Sequence, residues 1–253
     1  MRNVLAIAGK EMRGYFASPI AYIVLGFFAL VFGWFFYVPL AFFNRQSMQM
    51  AGSGMNISQM LITPVFSNAT VVMLFMLPAI TMRTYSEEKR SGTIELLLTS
   101  PLTDTQIILG KFLGAMGLYA SMLALTVVHM AILFAFTDPN PDWKPVASAY
   151  LGLLLMGGSF ISVGLLISSL TKNQVVAAIA TFVVFLMLWV INWIGTFVGP
   201  TTQAILNQLS LTDHFDDFAR GVIDTKHLVF YLSFISLGLF LTAKSVDSER
   251  WRG

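Results

Sequence analysis

Two short stretches hold most of the groups that could do chemistry. Glu87-Glu88-Lys89-Arg90 places two acids and two bases within one helical turn. An intramembrane metalloprotease of the Glu-Glu-x-x-x-Arg type would need Arg at position 92, which is Gly. The second stretch carries Asp213, His214, Asp216, Asp217, Asp224 and His227, all residue types that ligate metals. With only three His in the chain, it reads as polar surface with no metal. Asp216 and Arg220 at i, i+4 form an ordinary surface pair there, worth about 0.2–0.5 kcal/mol. His129 stands alone in an apolar run and reads as a neutral imidazole hydrogen-bonded to a neighbouring helix. Cys is absent, which removes disulfides, thiolate catalysis and Cys-ligated metals. Serine catalysis lacks a nucleophile elbow. A P-loop ends in Gly-Lys-Ser/Thr, whereas Gly110-Lys111 is followed by Phe112 and position 105 is Thr. No catalytic residue and no cofactor are therefore expected on this chain.

These groups are islands in an apolar sequence. The 253 residues are 56% hydrophobic and 11% charged, with mean hydropathy +0.74. Soluble domains carry about a quarter charged residues, so the natural solvent here is a bilayer. A net charge of +2, thinly spread, points to no nucleic-acid partner. Residues 14–44, 46–82, 112–137, 145–171, 173–212 and 227–243 contain no Asp, Glu, Lys or Arg. Each can hold one membrane helix of about 20 residues. The expected spans are about 19–43, 60–82, 106–136, 146–170, 174–198 and 227–244, the last with little tilt. Lys10, Glu11 and Arg13 interrupt any signal-peptide core, so none is expected. Of the fifteen Lys and Arg, only Arg45, Lys144, Arg220 and Lys226 fall on the side away from the N-terminus. The positive-inside rule then places both termini in the cytoplasm.

Local signals agree with these boundaries. Ser18-Pro19 is an N-cap followed by Pro at the first helical position. Thr103-x-x-Gln106 is a capping box, and Asp138-Pro-Asn-Pro-Asp142 a tight turn. Two sets of small residues, Gly110, Gly114, Gly117, Ser121 and Gly157, Gly158, Ser162, Gly164, Ser168, suit close helix approach. Residues 2–16 are amphipathic, with Val4, Leu5, Ala8, Met12, Tyr15 and Phe16 opposite Arg2, Lys10 and Arg13. That pattern is an interfacial helix lying at the acyl boundary. In the 83–105 loop, Gly92 breaks the charged helix and Thr93 starts a second, which carries Ile94, Glu95, Leu96, Leu97 and Leu98 and is ended by Pro101. Such a helix can tuck under its own bundle or dock in a partner's groove.

The run from Tyr85 to Phe112 resembles the signature of ABC-2-type transporter permeases, most closely the gliding-motility-associated (Gld-type) subunit. Weaker similarity continues at Ser168–Gln174, at His214–Asp224 and at Trp251-Arg252. The resemblance implies an all-α integral membrane protein in the bacterial inner membrane, a single domain over 1–253 with six spans. It also implies an N-terminal connecting helix, a cytoplasmic coupling helix and two short re-entrant helices in the outer loop 199–226. The coupling role falls on Glu87, Glu88, Arg90, Ile94, Glu95, Leu96 and Leu97. An outer gate would draw on His214, Phe215, Asp216, Asp217, Phe218 and Arg220. The implied partners are two copies of an ATP-binding subunit holding ATP and Mg, a second permease copy or paralogue, and an auxiliary subunit with an extracytoplasmic domain. Export is the family expectation. Few ionisable groups lie within the spans, so cargo is expected to be apolar or amphipathic, or else the unit transmits force. The rival class is a membrane scaffold or assembly protein without a transport cycle, set apart by whether an ATPase co-purifies.

Overall fold

A computed structural model describes residues 1–49, 58–98, 101–137, 141–195, 197 and 199–250. Among them, six helices are long and apolar enough to cross a membrane. These are α2 (Pro19–Gln49), α3 (Thr63–Thr81, entered through a π-helical turn Ser58–Ile62), α6 (Asp104–Phe136), α7 (Trp143–Leu170), α8 (Gln174–Gly195) and α11 (Thr225–Arg250). The shorter helices are α1 (Arg2–Ala17), α4 (Ser86–Ser91), α5 (Thr93–Leu98), α9 (Pro200–Leu209) and α10 (Leu211–Ala219). The described residues form no strand, and the chain is an all-α integral membrane protein.

Helices α3 and α7 form the centre, and α2, α8 and α11 leave long apolar faces exposed. Close approach follows the small residues. The Tyr119 ring lies against Gly157, and its hydroxyl donates to the Leu153 carbonyl at 2.7 Å. Thr81 covers Gly164, and Ser162 meets Gly238 of α11.

The first set of small residues also marks a close approach, to a helix outside the six spans. Gly110, Gly114 and Gly117 face Ile7, Glu11 and Met12 of α1, not another span. These contacts advance together along both chains, so α1 and α6 run side by side in one direction. At 33 residues α6 is about 50 Å long, against about 30 Å of hydrocarbon, and α1 follows its first turns. Part of the apolar face of α1 thus packs on protein, although none of its residues is fully buried. Leu5, assigned to that face, is 66% exposed, whereas Glu11 takes a place on it.

The helix starts are built as their residues suggest. Ser18 Oγ accepts from the Ile20 amide, Thr103 Oγ1 from Gln106 and Asp142 Oδ1 from Lys144. The capping box is only half formed, because Gln106 Oε1 accepts from Asn3 of α1 instead. His129 also departs from expectation. It packs edge-on to Phe32 and Phe36, and its buried Nδ1 has no hydrogen-bond partner. The surface that α2 offers there is aromatic and contains no acceptor. The 138–140 part of the predicted turn and Trp251-Arg252 lie outside the described residues.

Candidate functional site

The charged turn of α4 is the N-terminal half of a broken helix. Gly92 takes φ +73°, a left-handed conformation that a side chain disfavours, and α5 restarts at Thr93. Position 92 therefore separates two short helices that share no continuous hydrogen-bond ladder.

Across α4 the side chains divide sharply. Glu87 and Arg90 face outward and pair loosely at 3.7 Å. Glu88 and Lys89 turn inward. Lys89 Nζ donates to the Ser169 carbonyl at the end of α7. Glu88 Oε1 lies 2.8 Å from Lys111 Nζ, and Glu11 Oε1 of α1 lies 2.9 Å from the same nitrogen. The third donor of that ammonium goes to the Thr84 carbonyl at 2.8 Å, and the Tyr85 ring lies 5.0 Å away. Lys111 is 1% exposed, and all three of its N–H bonds are used.

One cation thus joins α1, the α3–α4 turn, α4 and α6. Two carboxylates share one ammonium, and Glu88 Oε2 is buried without a hydrogen-bond partner. Removing the cation from such a cluster would set two largely buried acids against each other. Beside the cluster is a cleft of about 210 Å³ lined by Lys10, Arg83, Glu87 and the Lys111 group.

Ser168 makes the second tie. Its hydroxyl accepts from the Tyr85 and Ser86 amides at 3.1 and 3.2 Å and donates to the Met82 carbonyl at 3.1 Å. It therefore satisfies two amides at the start of α4 from a different helix. Of the residues assigned to coupling, Arg90 and Glu95 are exposed, Glu87 and Glu88 are half-buried, and Ile94 is buried in its own bundle. Leu96 and Leu97 belong to α5, but their side chains lie outside the described residues.

Sequence reasoning missed Glu11, Lys111 and Ser168 as members of this site. Lys111 had a signal, a lone Lys seven residues into an apolar helix. Glu11 had a weaker one, an acid on the apolar side of an amphipathic turn.

The residues assigned to an outer gate sit at the other end of α7. Phe215 and Phe218 are buried, packed over Gly152. Ser148 Oγ donates to the Phe218 carbonyl at 2.7 Å, and Thr63 Oγ1 to that of Ala219 at 3.0 Å. Asp216 and Arg220 are both exposed, and the charge of Arg220 acts on Asp216 as a surface pair would. Asp217 instead turns to His227, and His227 to His214. Gly221 takes φ +92° and the Val222 amide reaches back to the Asp217 carbonyl at 2.9 Å, which ends α10.

A family model described as ABC-2 family transporter protein matches residues 37–212. Among curated proteins the chain is similar to the probable multidrug ABC transporter permease YbhR from two strains of Escherichia coli. Each is 30% identical over 148 residues, which are 56% of this chain and 38% of the relative. The match thus spans under two-fifths of the length of those relatives.

Proposed function

The chain belongs to the ABC-2 family of transporter proteins, and on that premise we propose that it is a permease subunit moved by a separate ATP-binding subunit through α4 and α5. Supporting this is the Lys111 cluster, where one buried ammonium holds α4 to both α1 and α6. Ser168 and Ser169 hold α4 to α7. A push on the exposed side of α4, at Glu87 and Arg90, would move three helices together instead of bending a loop. In this reading the Lys111 end faces the cytosol of a bacterial inner membrane, and the ATP-binding subunit docks on Glu87, Arg90, Glu95 and the leucines of α5. ATP and Mg belong to that subunit.

The exposed apolar faces of α2, α8 and α11 fit a second permease and lipid. Assignment to the gliding-motility type, with its auxiliary subunit, rests on the Tyr85–Phe112 resemblance. The printed name of the relatives concerns multidrug transport. With so few charges along the spans, we extend it here as export of apolar or amphipathic compounds.

The test is co-purification with the ATP-binding subunit, followed by ATP turnover in nanodiscs. Glu87→Lys, Arg90→Glu and Leu97→Asp should each lower association or stimulated turnover while the chain still inserts. The proposal fails if no ATP-binding subunit accompanies the chain, or if all three variants behave as wild type.

A further inference from the structure

At the end of the bundle away from Lys111, three short polar contacts run in series through α10. His227 Nε2 lies 2.7 Å from Asp217 Oδ2, and His227 Nδ1 lies 2.8 Å from His214 Nδ1. His214 Nε2 lies 3.2 Å from the Gln208 carbonyl of α9. His227 is 4% exposed, and Phe230 covers the His214 ring with centroids 3.8 Å apart. A metal has no room between the facing nitrogens, since two Zn–N bonds of about 2.0–2.1 Å need a wider gap.

Each contact requires one proton between its two heavy atoms. Two neutral imidazoles carry one N–H each. Three contacts therefore need one proton more than two neutral rings and a carboxylate supply. One state that satisfies all three has Asp217 ionised, His227 donating from both nitrogens, and His214 neutral and donating from Nε2 to Gln208.

We propose that Asp217, His227 and His214 form a one-proton latch that adds a tie from α9 and α10 to α11 while the extra proton is held. Losing that proton sets lone pair against lone pair at one of the three contacts. Adding another to His214 sets two N–H groups against each other between the Nδ1 atoms. The latch is closed inside a pH window and opens on both sides of it. Burial, followed by the charge of His227, pushes His214 below the ordinary histidine range, in line with refusal of the second proton.

The charges facing the latch are few. Lys226 Nζ is 4.0 Å from Asp217 and 3.3 Å from Asp224, and Asp213 lies in the first turn of α10. Tyr231 of α11 donates its hydroxyl to the Leu211 carbonyl at 2.6 Å. Helices α3, α7 and α8 bring Thr63, Ser148, Gly152 and Trp189 to α10, none of them acidic or basic. Helix α9 has no acid or base and buries no residue, so loss of the His214–Gln208 contact would loosen it first.

The test uses the full chain in nanodiscs. It has no Cys, so Thr202→Cys and Ile223→Cys can carry spin labels on α9 and just before α11. Electron–electron distances are read from pH 5 to 9, with a histidine 15N NMR titration alongside. A narrow distribution in mid-range should broaden toward both extremes, the alkaline midpoint matching loss of one imidazole proton. Asp217→Asn removes the counter-charge at a site 36% exposed, so it spares the core. It should move the alkaline limb to lower pH, because the counter-charge to the held proton is gone. His214→Asn should flatten the profile. A distribution that stays constant over the range, or a response that survives His214→Asn, overturns the latch.

Discussion

The two ends of α7 are tied down by opposite kinds of chemistry. At Ser168 and Ser169 the neighbouring knot is an ammonium held by two carboxylates and a carbonyl. At Ser148 and Gly152 it is a carboxylate and two imidazoles in a row. The first joins a Lys to acids, residue types that stay ionised across the physiological range in their ordinary state. The second uses the one side chain whose ordinary titration falls inside that range. In the proposed reading, the first end passes on displacement and the second holds only within a pH window.

The hardest test of that contrast is Lys111→Met. It strands Glu11 and Glu88 beside each other, and loss of one partner of a buried ion cluster costs about 3–5 kcal/mol. Denaturation of the purified chain should show a deep loss of stability, largely regained when Glu11→Leu and Glu88→Met are added. A cost below about 1 kcal/mol would mean that the cluster holds nothing.

Next in size is Ser168→Ala, which deprives two amides of their acceptor and should cost about 1–3 kcal/mol. Hydrogen exchange at Tyr85 and Ser86 should rise sharply while the far end of α7 is unaffected. Gly92→Ala forces a side chain into a left-handed backbone at about 1–2 kcal/mol and should loosen α5 more than α4.

At the His end the expected effect depends on pH. His214 is held below its ordinary value, so its folded state resists protonation more than the unfolded chain does. Its contribution to stability is full above the unfolded value of about 6.5 and is lost as pH falls through the depressed one. His214→Asn should remove this acid-side loss in denaturation series run at stepped pH, while the Lys111 end shows no corresponding change.

Glu87→Lys is the smallest in stability. Its partner Arg90 is exposed and 3.7 Å away, so the change should stay within about 0.5 kcal/mol. A coupling residue shows itself here by losing ATPase stimulation without losing fold.

Helix type and span count were legible because they rest on local properties, namely charge-free length and helical period. Gly92, Ser18 and Thr103 could likewise be read, since a cap or a left-handed turn depends on neighbours in sequence. The site was legible only on its outer surface. Glu87 and Arg90 announce themselves as charges, whereas Lys111 gains its meaning from Glu11, 100 positions earlier, and Glu88, 23 positions earlier. The two glutamates of one turn look equal in sequence, and only tertiary packing sends one outward and the other to an ammonium. Similarly, Asp216 and Asp217 trade roles, because α10 directs the second toward α11 while leaving the first exposed.

The glycine seam on α6 bears on how the molecule is assembled. Helix α1 leaves the ribosome long before the surface it will lie on, which begins near Gly110. Until that surface exists, its oily side needs shelter, and the lipid–water boundary offers it. The amphipathic pattern at the start of the chain thus describes a waiting position, and Glu11 supplies the reason to leave it once Lys111 has been made.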